Sequence, residues 1–526
     1  MILPRVNRLN KREARIISML GLNTTDDYKQ GSLSSCMNMS ARRYPYMSTR
    51  NPRRTLSYTK TTALSAWNEL VTVQDGVLYY GNRRIGNLEI GPKQFAMINT
   101  KLVIWPDKVY LDLPTMTIKP LAAEVRATSV SFTEDTITMT GVGDLREIFT
   151  TGDGLIITGC MALPGNNRAK DNPATVKVVA PDKLTFTLTD QNKFTPGDET
   201  VPVTFTRPVP DLDYICESEN RLWGVSNADK TIYASALGDP CTFYDYSGEA
   251  TDSFAVAVGS AGDFTGCNKL ASSVCFWKEH TLHKMLGSYP AEYQLYTYEF
   301  EGVKSGCNKS IVLLNERMYY VGTRGVYQFT GASPSLVSKT LGDIKWDDAV
   351  GGTDGDTLYY SVNENGQQRM YSLDLGTGIW LEEEEGNGVY DFARIGNDLY
   401  YAEKTGLVKQ INAGEHSNDF AWMMTFKPIF ESVSGTYNSS ALVFAKKKYS
   451  KIILRLDLPQ GSTIHAAVKH DDGEWVTCGS MTGPYENLCE MVIPINRCDK
   501  FQLMLFGVGP CTVLNMVRMY LTGSAR

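Results

Sequence analysis

No stretch of this chain approaches 18 consecutive apolar residues, so no transmembrane helix is expected. There is no Cys-x-x-Cys, and the 11 cysteines are scattered from Cys36 to Cys511. They read as small buried hydrophobes in a reducing compartment, with Cys489 and Cys498 as the pair that would bridge in an exported protein. Histidine is scarce at five, few for a metal or hydrolase site. His280 and His283 lie in an apparent strand, where positions three apart face opposite sides and cannot share a metal. Gly-x-Ser-x-Gly, a Walker loop, a Rossmann fingerprint and His-Glu-x-x-His are all missing. Arg5, Arg8, Lys11, Arg12 and Arg15 are followed by no apolar h-region, so no secretory signal is expected and assembly in cytoplasm is. No catalytic, cofactor-binding or metal-binding residue is assigned, no cofactor is expected, and the reading is a protein that is not an enzyme.

What is present is a period. Tyr319-Tyr320 recurs as Tyr359-Tyr360 and Tyr400-Tyr401, at offsets of 40 and 41. Each copy follows a polar turn and precedes a second turn with an apolar strand. Short strands repeating every 40 residues or so are the signature of β-propeller blades. Tyr79-Tyr80 is a further copy, and Lys101–Trp105, Asn220–Gly224 and Ser273–Trp277 are variants ending in or using Trp. Six or seven blades result.

The rhythm breaks twice. Between Leu121 and Pro208 five or so Thr- and Val-rich runs, from Thr136–Thr140 to Val201–Phe205, predict a small β-barrel domain inserted into the propeller. From Phe426 onward further runs, among them Ala441–Phe444, Lys451–Leu456 and Val513–Leu521, predict a C-terminal β-sandwich. The fold class is therefore all-β: a six- or seven-bladed propeller, an inserted small β-barrel domain and a C-terminal β-sandwich. The expected divisions are 1–65, a basic arm; 66–121, propeller; 122–208, insert; 209–415, propeller; and 416–526, sandwich. At 526 residues, two to four domains are anticipated.

Charge is unevenly divided. Residues 1–60 hold 12 Lys and Arg against 3 Asp and Glu, a net of +9, which leaves −15 on the rest of a chain whose total is −6. Three readings of this arm stand: docking on an acidic neighbouring subunit, a self-packed tail, or phosphate binding without a groove-reading motif. For the first, Arg42, Arg43, Arg50, Arg53 and Arg54 are the inter-subunit contact candidates. Two other charged runs, Glu382–Glu385 and Lys446–Lys448, read as a solvated loop and a solvated turn.

Three phrases resemble known families. Ser372-Leu373-Asp374-Leu375-Gly376-Thr377-Gly378-Ile379-Trp380 resembles the Asp-box turn of sialidase propellers, with one residue too many before Trp380, and there the turn stabilises a blade outside the active site. Gly21-Leu22-Asn23, Asp27, Gly31-Ser32-Leu33, Asn38-Met39 and Thr49-Arg50-Asn51-Pro52-Arg53 resemble the opening of tailed-bacteriophage virion proteins. Cys216–Gly224, containing Glu219-Asn220-Arg221-Leu222-Trp223-Gly224, and the following Ile232–Pro240 are similar to a phrase of phage tail nozzle proteins, the packaged-DNA stabilisation or tail tubular B type.

That second resemblance implies a virion tail component assembled in the host bacterial cytoplasm. It implies a homo-oligomeric ring, a hexamer, below the portal and its adaptor or head-completion protein. Such a ring retains packaged double-stranded DNA, passes it without sequence-specific binding, and carries tail fibres or spikes. The alternatives are a receptor-binding tail protein and a carbohydrate-binding or glycosidase propeller.

Overall fold

Hairpin turns set the framework. Asn315 and Glu316 (φ 50° and 59°), Glu219 and Asn220 (51° and 56°), and Asp75 and Gly76 (51° and 75°) are pairs of consecutive left-handed residues. Two such residues in a row make the turn whose twist matches that of paired strands, which is why Asn, Asp and Gly recur there. Strands on either side then pair with their sequence neighbours. The computed structural model describes residues 10–430, 446–485, 488–494 and 496–522; the expected run Ala441–Phe444, together with Arg5 and Arg8, lies outside them.

Among the described residues, seven four-stranded sheets follow one another, each strand bonded to the next: sheet 1 over 61–87, sheet 2 over 94–120, sheet 3 over 214–257, sheet 4 over 266–299, sheet 5 over 312–336, sheet 6 over 346–385, and sheet 7 over 389–410. Sheet 7 takes its fourth strand, Arg54–Thr55, from the N-terminal segment. Four-stranded meanders of this kind are the blade pattern of β-propellers. Each aromatic phrase falls in one sheet, and Tyr320, Tyr360, Tyr401, Trp105, Trp223 and Trp277 are all buried. Burial of a strand on both faces explains why these phrases read as continuous apolar runs instead of alternating ones.

The chain forms two compact units. Unit 2 (62–323 and 328–335) contains sheets 1 to 4 and most of sheet 5. Neighbouring sheets are joined there by aromatic contacts: Trp223 lies 5.9 Å from Phe276, Trp277 lies 4.7 Å from Tyr320, and the Trp105 indole N–H donates to Leu212 O at 2.6 Å. Each such buried ring contributes roughly 2–3 kcal/mol.

Between sheets 2 and 3 the chain leaves through Ala123–Ala127 and returns through Val203–Arg207, and these two strands pair in register, Ala123 opposite Arg207. These two strands and the six between them form one eight-stranded sheet with its own core of residues such as Phe132, Leu155, Phe186 and Phe205. Departure and return side by side let such an excursion leave the flanking sheets undisturbed. The sequence runs missed three of its strands, Ala123–Ala127, Ser129–Phe132 and Gly197–Glu199, because these are short or interrupted by charge.

Unit 1 (1–61, 324–327 and 336–526) contains sheets 6 and 7 and two larger sheets. A Cβ built at Gly352 of sheet 6 would sit 2.5 Å from the Phe392 ring of sheet 7, so only glycine permits that approach. The two larger sheets pack face to face, with Tyr449 stacked on Phe501 at 4.0 Å.

Residues expected to form a separate arm belong to these sheets. Asn10–Ile16 pairs along its whole length with Thr512–Thr522, Ser32–Met37 pairs with Ala421–Phe426, and Met47–Thr49 joins Thr512–Thr522. The separate arm is corrected accordingly: a segment poor in apolar periodicity is ordered by backbone pairing, which periodicity does not register. Lys447 is corrected too. Instead of sitting in a solvated turn it opens the strand Lys447–Asp457 fully buried, its amine 3.8 Å from Asp499.

Candidate functional site: two arginine-centred clusters

The opening phrase folds into one polar knot in unit 1. Asn38, left-handed at φ 61°, interrupts the strand pair Ser32–Met37 and Met39–Ser40 and turns its side chain inward. Its amide donates to Ala421 O at 2.8 Å, and its Oδ1 accepts from Arg50 Nε at 3.0 Å. Arg50 Nε also lies 2.8 Å from Glu383 Oε2, and Nη2 lies 3.0 Å from Glu384 Oε2. Arg53 binds the same Glu384 and stands over the Tyr401 ring at 5.2 Å. Two cations thus face two carboxylates, and the group is close to neutral. Burial, with the neighbouring Arg53, lowers Arg50 to about 10, which leaves it protonated at neutral pH.

This corrects two expectations. Glu382–Glu385 is part of the strand Ile379–Glu385, and Glu383 is buried, because the arginines supply the countercharge that four adjacent carboxylates lack among themselves. Arg50 and Arg53 are committed within the chain, with only 4% and 7% of their side chains exposed, so they do not present a contact surface. The other three candidates are half exposed or exposed. Arg42 is half exposed and bonds Asp354, Arg43 is exposed near Thr512 and Asp457, and Arg54 lies exposed on the fourth strand of sheet 7. Arg42 and Arg43 line a cavity of about 360 Å³ with Asn51, His416 and Thr512.

A second cluster, in unit 2, grows from the other phrase. Fully buried Arg221 donates to the carbonyls of Ser235 (2.9 Å), Ala250 (2.7 Å) and Asp252. It holds the long loop 235–253 within sheet 3. The Asp252 carboxylate accepts from Gly248 N (2.6 Å), Glu249 N (3.1 Å) and Ser247 Oγ (2.8 Å). The same loop grips the insert: Thr242 Oγ1 donates to Asp153 at 2.8 Å, and Thr175 Oγ1 donates to Asp245 at 3.1 Å. Asp153 is paired at 2.8 Å with Arg207, whose Nε reaches Leu121 O at 3.2 Å. Burial is the main reason that Asp245 is raised to about 6, with Asp252 adding to it.

Beside this loop lies a cavity of about 390 Å³, lined by Tyr246, Glu249, Asp252, Phe254 and Tyr289 among others. Tyr246 and Tyr289 are exposed. Asp252 spends both oxygens on its own loop, so the cavity holds surfaces for stacking and a free carboxylate in Glu249 but no acid–base pair in hydrogen-bonding readiness.

The remaining motifs are structural. Asp374 Oδ1 accepts from Thr377 N (2.8 Å) and Oγ1 (2.7 Å), closing the turn between the last two strands of sheet 6, and buried Trp380 donates to Val337 O at 3.1 Å. His283 is buried between Ser260 and Thr297 hydroxyls, at 2.7 and 3.0 Å, and its pKa is lowered to about 4 by burial. His280 sits ahead of that strand instead of in it. Among the described residues no group of His, Cys, Asp and Glu is placed to hold a metal. No helix among them is long and apolar enough to cross a membrane.

The strand pairing defines an all-β protein built on propeller-type sheets. No protein-family model and no curated protein matches the chain. Solved structures similar to it include PorZ of Porphyromonas gingivalis, a bacterial surface component of the type-IX secretion system, at 11% identity and TM-score 0.35, covering 76% of this chain and 44% of PorZ. This chain therefore spans under half of that protein's length. BamB of Moraxella catarrhalis is similar at 12% identity and TM-score 0.35, covering 69% and 99% of the two chains. The Cps50 (Swd1) β-propeller domain of Myceliophteria thermophila is similar at 8% identity and TM-score 0.37, covering 69% and 100%. At these values the fold is argued from the strand pairing itself.

Two outcomes follow from the clusters. Arg50→Met leaves buried Glu383 with only the more distant Arg53, at 3.6 Å, and is expected to lower stability in denaturant unfolding by about 3 kcal/mol, with much of the loss recovered by adding Glu383→Gln. For Asp245 the folded pKa lies above its unfolded value. The folded state therefore binds the extra proton between about pH 4 and 6, and this contribution to stability is lost as pH rises through 6. Asp245→Asn should be more stable than the parent at pH 7, with the difference vanishing toward pH 4 in melts at both pH values; a constant difference would assign the effect to packing.

Proposed function

We propose that this chain is a structural virion protein of a tailed bacteriophage: a tail nozzle protomer that forms a ring of about six copies below the portal and adaptor. In this reading its four-stranded sheets are propeller blades, seven in number, the eight-stranded insert is a small barrel, and the larger pair of sheets is a sandwich. The ring retains packaged DNA, conducts it during ejection and carries fibres. It is not an enzyme.

The observation that carries this is spatial. Asn38, Arg50 and Arg53, spread along the opening phrase, meet at one buried site; in the second phrase Arg221 and Asp239 bond within the loop 235–253, while Asn220 and Asp239 also bond Asn99 and Lys101 of sheet 2. Both phrases are thus interlocking constellations, and chance turn sequences have no reason to converge in this way. Charge supports the same reading. Two of the N-terminal cations are neutralised inside the chain, and an acidic body suits a channel through which duplex must slide, because many cationic contacts would hold the phosphates through counterion release.

Native mass spectrometry of the protein, alone and with a portal–adaptor assembly, is expected to give a ring of about six copies in at least the second case. Arg43→Glu and Arg54→Glu together should abolish that ring while leaving the monomer's melting temperature near the parent's; Arg42 is left unchanged because it bonds Asp354 within the chain. A monomer that ignores the adaptor overturns the nozzle reading. Particles made without the protein should leak DNA; complete particles that fail to adsorb would assign it to receptor binding.

One observation favours a second reading, carbohydrate binding, namely the cavity flanked by exposed Tyr246 and Tyr289 with Glu249 at its rim. Tyrosine faces stack on the apolar faces of sugar rings while carboxylates accept their hydroxyls. If this reading holds, a glycan array gives binding that Tyr246→Ala reduces at least about tenfold, the loss of roughly 1.4 kcal/mol of stacking. An array blank at millimolar-equivalent affinities removes it.

A further inference from the structure

Cys216 and Cys267 stand apart from the other cysteines. Cys216 lies in the strand Tyr214–Ser218, the first of sheet 3, and Cys267 in Gly266–Leu270, the first of sheet 4. Their sulfurs are 2.7 Å apart. That is well inside ordinary non-bonded contact, and only about 0.7 Å beyond the length of a sulfur–sulfur bond. Both residues are in unit 2, and the neighbourhood is held by contacts that do not involve sulfur. Lys269 Nζ reaches Glu217 Oε2 at 2.5 Å across the same two strands. Asn227 and Phe264 exchange two hydrogen bonds, at 2.7 and 3.2 Å, between the turn after the second strand of sheet 3 and the entry to sheet 4. The thiols are therefore presented to each other by a scaffold that is already formed, and closing the bond asks for a side-chain adjustment instead of a strand movement.

We infer that Cys216 and Cys267 are an oxidation site that forms an inter-sheet disulfide when the protein meets a low-molecular-weight disulfide outside a reducing compartment. Half-buried Cys216 is the entry point, since Cys267 is 93% shielded from solvent. The Cys216 thiolate attacks the small disulfide RSSR, forming a mixed disulfide and releasing RS⁻. Cys267 then loses its proton to solvent, and its sulfur attacks the Cys216 sulfur and expels the second RS⁻. Two protein thiols are oxidised by two electrons, one RSSR is reduced to two RSH, and the protons are conserved. Burial and the adjacent Cys216 hold the Cys267 thiol well above its usual range, so the second step is the slow one and quickens with pH. Cys275 is fully buried on the adjacent strand and is the control for a wrong partner. The product ties the first strands of two consecutive sheets across the 51 residues that separate the cysteines.

The test treats the full chain with oxidised glutathione, quenches with N-ethylmaleimide under denaturing conditions, and counts alkylated thiols by intact mass before peptide mapping. The expected result is two fewer alkylated thiols, a peptide cross-linked through Cys216 and Cys267, faster formation at pH 9 than at pH 7, and an unchanged outcome in Cys275→Ala. The oxidised form should melt about 3–6 °C above the reduced form, and dithiothreitol should remove the difference. A full count of alkylated thiols, a cross-link through another pair, or a glutathione adduct that remains on Cys216 would each overturn the inference. Mapping of the unsubstituted chain decides the matter even if Cys267→Ala does not fold.

Discussion

Unit 1 depends on the neutralisation of buried Glu383 and its partly buried neighbour Glu384 by arginines more than 300 residues away in sequence. Glu383 and Glu384 sit on the last strand of sheet 6, where two adjacent ionised groups would be expelled from any interior. Arg50 and Arg53 remove that cost, and in doing so they fix where the N-terminal segment runs. The same segment is also held by strand pairing: Arg54–Thr55 completes sheet 7, and Asn10–Ile16 and Ser32–Met37 each extend one of the two larger sheets. A buried ion pair adds little net stability over an apolar substitute, but it penalises every wrong register heavily. Specificity of assembly is what this quartet supplies.

Unit 2 solves a related problem at the base of its insert. The eight-stranded sheet, with its separate core, is joined to the loop 235–253 through Thr242 with Asp153 and Thr175 with Asp245, while Arg207 and Asp153 pair within it. These groups come from the insert and from the loop that Arg221 pins, so the same arginine that orders the loop indirectly orders the insert. The aromatic cavity next to the loop inherits its shape from that arrangement.

Much of the architecture was legible from spacing. The tyrosine pairs and tryptophans mark one strand in each four-stranded sheet, buried in all but sheet 1, because a strand packed on both faces must be apolar along its length. The Asp374–Trp380 turn was equally legible, its contacts being local. The N-terminal strands were not: Asn10–Ile16 alternates charged and apolar residues weakly and acquires strand geometry only from Thr512–Thr522. Lys447 and Glu383 misled for one reason. Charge runs are normally solvated, and the partners that reverse this, Asp499 and Arg50, are distant in sequence.

The sequence by itself determined the all-β class, the positions of the blade strands and their turns, and the existence of two regions with a different rhythm, since each of these is written in the periodicity of side chains and in residues that tolerate left-handed backbone. Tertiary structure alone decided which charges are interior, which of the five arginines remain at the surface, that the N-terminal segment is structural rather than a free arm, and that two of the 11 cysteines meet. Those properties arise from contacts between residues tens to hundreds of positions apart. The energy of such a contact depends on burial and geometry, and neither is carried by local composition.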